Sequence, residues 1–65
     1  MGPERTEMAE VLFEFVRIGN SVKVTAIDAK TGREAVIVGL PTLSRFSLQQ
    51  AALKKLQRLL AKSDG

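Results

Sequence analysis

Between Val11 and Val38 the apolar residues alternate in two hairpin-like stretches, and from Leu48 to Leu60 they recur at helical spacing. Period two suits a sheet with two distinct faces, and period 3.6 suits a helix with one buried stripe. A chain that switches once from the first to the second has few compact solutions. The pattern predicts an α+β domain: a three-stranded antiparallel meander followed by one C-terminal amphipathic helix packed on the sheet, βββα in order. The 65 residues are enough for one domain only, of a size at which a single core is marginal. The expected division is a flexible N-terminal tail over 1–7 and a single βββα domain over 8–63.

The strand boundaries follow from composition and turn chemistry. Val11 to Ile18 reads VLFEFVRI, β-branched and aromatic, and Gly19-Asn20 behind it fits a two-residue hairpin loop. The second strand runs from Val22 to Asp28. Ala29-Lys30-Thr31-Gly32 then fits a type I turn closed by a left-handed glycine, with a third strand from Glu34 to Val38. These turns pair Arg17 with Val22, Phe15 with Val24 and Phe13 with Ala26, and then Ala26 with Val36 and Val24 with Val38. One face then carries Phe13, Phe15, Val22, Val24, Ala26, Val36 and Val38. A helix capped at Ser47, or one turn earlier by Thr42 or Ser44, covers that face with Leu48, Ala52, Leu56, Leu59 and Leu60. The expected core is Phe13, Phe15, Val24, Val36, Leu56 and Leu59.

By the same registers the opposite face holds Leu12, Glu14, Val16, Ile18, Lys23, Thr25, Ile27, Ala35 and Ile37. One helix does not cover two faces, and this one is more apolar than a solvated face needs to be. Leu12, Val16, Ile18, Ile27 and Ile37 are therefore candidate interface residues, and a homodimer through this face or an edge strand is the expected assembly. An unidentified protein partner would fit the same patch.

Charge points to a weaker alternative. Net charge is +3, and from Pro41 to Ser63 the charged residues are Arg45, Lys54, Lys55, Arg58 and Lys62, with no acid among them. Lys54, Lys55, Arg58 and Lys62 fall within about a third of a helix circumference, a geometry that can neutralise phosphates and makes them nucleic-acid candidates. Cations near a helix C-terminus also serve the macrodipole as ordinary surface.

Chemistry is poorly provided for. Cys and His are absent, which removes the thiolate nucleophile, the imidazole base and the usual zinc ligands. Asp28 and Glu34 belong beside a turn, and Ser44 and Ser47 lack an activating base. No catalytic residue, metal site or cofactor is expected, and the protein is not expected to be an enzyme. No apolar run approaches the roughly 18 residues of a bilayer span, and the first ten residues are acidic rather than signal-like, so a cytoplasmic location without a membrane partner is expected.

The run Phe13-Glu14-Phe15, then Gly19-Asn20, then Val22-Lys23-Val24-Thr25-Ala26-Ile27-Asp28, then Thr31-Gly32 and the helix from Ala51 to Leu56 resembles a family of short uncharacterised bacterial proteins. Some members carry a serine hydroxymethyltransferase label. That activity needs a large scaffold and a Schiff-base lysine in a pocket, which this chain does not build. The resemblance implies the βββα order and no particular function. Ser47 to Leu56 is also similar to the helix that closes a double-stranded RNA-binding domain, but Leu48, Gln49 and Gln50 stand where that family places lysines.

Overall fold

A computed structural model describes the backbone of residues 4–8 and the whole of residues 10–62. Strand β1 spans Glu4–Met8, β2 Val11–Ile18, β3 Ser21–Asp28 and β4 Glu34–Gly39, and helix α1 spans Arg45–Lys62. The meander β2–β3–β4 and the helix packed on it are those predicted. All neighbouring strands are antiparallel, in the spatial order β1-β2-β3-β4.

Strand β1 is the first difference. Glu4 pairs with Phe15, Thr6 with Phe13 and Met8 with Val11, so residues 4–7 of the expected tail form a strand, and residues 1–3 lie outside the described residues. Its pairing gives backbone partners to the outer edge of β2, which would otherwise be open. A strand held by its ladder at a sheet edge needs no apolar alternation, and ERTEM shows little.

The β2–β3 hairpin has the predicted register throughout, from Ile18 opposite Ser21 at the Gly19-Asn20 loop to Val11 opposite Asp28. The β3–β4 hairpin does not. Val24 lies opposite Ile37 and Ala26 opposite Ala35, one residue away from the expected pairs with Val38 and Val36. The cause is the turn. Gly32 is left-handed as expected, at φ 76°. Its N–H donates to the Asp28 carbonyl at 2.8 Å, and the Asp28 N–H donates to the Arg33 carbonyl at 2.8 Å. Four residues, Ala29 to Gly32, thus bridge the strands, and Arg33 stands opposite Asp28 rather than inside a bulge. The Asp28 carboxylate holds this loop by accepting from the Thr31 N–H at 3.0 Å and the Thr31 hydroxyl at 2.6 Å.

A one-residue slip exchanges every side chain of a strand between faces. Ala35 and Ile37 therefore join the helix side, Ala35 buried and Ile37 packed against the core. Val36 and Val38, expected inside, are exposed on the other face. The core is Phe13, Phe15, Val24, Ala26 and Ala35 from the sheet with Leu48, Ala52 and Leu56 from the helix, and Leu59 flanks it half-buried. Leu48, Ala52 and Leu56 recur every fourth residue, the spacing of one helix stripe.

The helix starts earlier than Ser47. The Ser47 N–H donates to the Ser44 hydroxyl oxygen at 3.0 Å, and the Ser44 hydroxyl donates to the Ser47 oxygen. Ser44 is therefore the cap and Ser47 lies in the first turn. At Gly39 the helix packs tightly on β4: a Cβ there would collide with the Leu48 side chain.

Candidate interaction surface

Because α1 lies over β3 and β4 on one side, the other side of the sheet has no covering element among the described residues. The ladders arrange it in rows. Leu12, Ile27 and Glu34 form one, Glu14, Thr25 and Val36 the next, and Val16, Lys23 and Val38 the third, with Ile18 opposite Ser21 at the hairpin end. Leu12, Val16 and Ile27 are half-buried, while Ile18, Val36 and Val38 are exposed. Four of the five predicted interface residues thus share this face. Ile37 does not, since the corrected register turns it to the helix, and Val36 and Val38 take its place. The face is apolar in its rows and punctuated by Glu14, Glu34 and Lys23. Thr25 is buried at its centre.

The basic helix divides in two. Lys54, Lys55, Arg58 and Lys62 are all exposed. Lys55, however, donates from Nζ to the Val36 carbonyl at 2.7 Å. It caps the outer edge of β4 instead of extending the patch, as charged side chains at sheet edges do. Lys54, Arg58 and Lys62 remain as a strip at four-residue spacing. At the other end of the helix, the Arg45 guanidinium lies 4.8 Å from the centre of the Phe15 ring, a cation–π contact.

Groups with chemical potential are engaged in folding. Ser44 and Ser47 form the cap, and Asp28 holds its turn. Among the described residues no group of three or more carboxylates stands together at a metal-binding distance, and no helix is long and apolar enough to cross a membrane.

Sequence reasoning missed Leu40, Leu43 and Phe46, which stand exposed around the connection from β4 to α1. Their signal was available: they are large apolar residues outside both periodic patterns, in a segment of Pro, Thr and Ser.

A family model described as Domain of unknown function (DUF6898) matches residues 8–63. The chain belongs to that family. The match takes in β2, β3, β4 and the whole helix, so the uncovered face and the basic strip both lie within the DUF6898 region. No curated protein and no solved structure matches the chain.

Proposed function

We propose that this domain is a small non-enzymatic interaction module that self-associates through the uncovered face of its sheet. The observation that supports it is the placement of Leu12, Val16, Ile18, Ile27, Val36 and Val38 on the side away from α1. With strands of up to eight residues, the face measures about 26 Å by 19 Å, about 1,000 Å² over two copies, the lower end of what a specific interface buries. Its charges favour a second copy as occupant. In a twofold stack, contacts occur in reciprocal pairs, so an approach of Lys23 to Glu14 of the other copy forms twice. The edge route is narrower, because Lys55 already occupies a carbonyl of β4. Sedimentation at micromolar concentration tests the proposal: a dimer is expected, and a stable monomer overturns it.

A second reading is a nucleic-acid-binding module using the basic helix face, favoured by the exposed Lys54, Arg58 and Lys62 strip. It expects binding whose log–log salt slope corresponds to about two to three released counterions, abolished by reversing the three residues to Glu. Absence of binding to duplex and single-stranded nucleic acid at low salt retires it.

A further inference from the structure

Strand β4 ends the sheet on one side, and its outer edge is partly filled by a side chain. The Asp28 N–H donates to the Arg33 carbonyl, and the backbone groups of an antiparallel strand point alternately toward and away from its neighbour. Ala35, Ile37 and Gly39 therefore bond to β3, while Glu34, Val36 and Val38 direct their N–H and C=O groups outward. Lys55 closes one of these, donating from Nζ to the Val36 carbonyl at 2.7 Å. The same contact shows how the helix lies. Leu48 meets Gly39 and Lys55 meets Val36; seven helical residues rise about 10.5 Å and three strand residues span about 10 Å. The helix runs back along β4, and Lys62, seven residues further on, comes level with Arg33. At about 100° per residue, Ala51, Lys55, Arg58 and Lys62 fall within about 60° of one another, on the flank that Lys55 marks as the one beside the edge. All four are exposed.

A strand added at this edge has two different faces. Its residues opposite Ala35 and Ile37 point to the helix side, where Lys55, Arg58 and Lys62 stand and where the sequence from Leu40 to Lys62 contains no carboxylate. Its residues opposite Val36 and Val38 point to the other side, beside two exposed valines, and one opposite Glu34 meets a carboxylate. Period two then calls for acids at alternate positions with apolar residues between them. A second copy does not fit this edge. Pairing β4 with β4 about a twofold axis leaves both helices on one side of the joined sheet and brings the two basic flanks together.

We infer that the outer edge of β4 takes up an extended segment of another protein in which carboxylates alternate with apolar residues. The main chain of that segment supplies ladder hydrogen bonds, and its alternate side chains supply the selectivity. One of its N–H groups replaces the Lys55 ammonium on the Val36 carbonyl, and the freed ammonium pairs with one of its carboxylates, so a single contact is exchanged for two. Arg58 and Lys62 meet the acids that follow. The inference goes beyond self-association. It uses the backbone of β4 and the helix flank, and it stands whether the native chain is a monomer or a dimer.

Titration of the whole chain with the acetylated and amidated heptapeptide Thr-Glu-Val-Glu-Val-Glu-Thr, followed by amide NMR, tests it. Saturable binding is expected, weakening with added salt, with the Val36 and Val38 amides newly protected from hydrogen exchange. The variant carrying Arg58→Glu and Lys62→Glu should keep its fold, since both side chains are exposed, and bind about tenfold more weakly or worse. A peptide of the same composition with its charges in one block, Glu-Glu-Glu-Thr-Val-Val-Thr, should bind much more weakly than the alternating one. No binding of the alternating peptide at low salt overturns the inference, as does binding that leaves Val36 and Val38 exchanging as before. Undiminished binding by the variant removes the basic flank from the site and overturns it too. Equal binding of the block peptide also overturns it, and assigns the strip to anions irrespective of backbone pairing.

Discussion

At the scale of single residues, the most informative positions are those whose role is set by one neighbour. Gly39 has no special backbone angle to explain it; what it gives is room for Leu48. Gly39→Ala is expected to cost about 1 to 3 kcal/mol by overpacking, and shortening Leu48 to Val in the same chain should recover part of the loss. Denaturant unfolding of both variants checks this, and additive losses would separate the two residues. Asp28 is a different case. Its buried carboxylate accepts two hydrogen bonds from Thr31 and so determines where β4 begins. Asp28→Ala should cost about 1 to 3 kcal/mol, whereas Lys30→Ala, at an exposed loop position, should stay within about 0.5 kcal/mol. Gly32, at φ 76°, should tolerate Val worse than Lys30 tolerates Ala, because a β-branched side chain is strained in that region.

The elements show what local chemistry can and cannot specify. The first hairpin was legible because Gly19-Asn20 leaves a single economical loop, and eight paired positions then follow from it. Gly32 was legible as a left-handed residue, yet its loop had two closures differing by one residue. The choice lay with the Asp28 carboxylate, a side-chain contact that strand alternation does not encode. Residues 34–38 could not arbitrate, because Ala35 and Ile37 are as suited to a core as Val36 and Val38. Strand β1 was illegible for another reason: it contributes a ladder rather than an apolar pattern. The helix start depended on which of two serines caps it. Ser44→Ala is therefore expected to lower stability by about 1 kcal/mol, and Ser47→Ala by less. Thermal unfolding of the two variants distinguishes them, and a larger loss at Ser47 would return the cap to that residue.

For the whole molecule, the register of β4 decides which substitutions speak to assembly. Ile37 and Val38 are adjacent in sequence and similar in size, but one packs against the helix side of the sheet and the other stands in solvent on the uncovered side. Ile37→Lys should therefore destabilise each copy, with a loss of about 2 to 4 kcal/mol that does not depend on protein concentration. Val38→Lys should leave the single copy folded and act on the contact between copies, where a twofold axis makes one change count twice. The same holds for Val16→Lys in the neighbouring row. Mass action supplies the signature: where folding is coupled to dimerisation, the native chain's melting temperature rises with concentration, and for Val38→Lys this dependence should disappear. Sedimentation of Val38→Lys should show a folded monomer at concentrations where the native chain is a dimer. If Val38→Lys and Ile37→Lys unfold alike and independently of concentration, Val38 is part of the interior. If neither it nor Val16→Lys changes the mass of a native dimer, the copies meet elsewhere. With α1 on one face of the sheet, a partner for the other face is what these two adjacent residues measure.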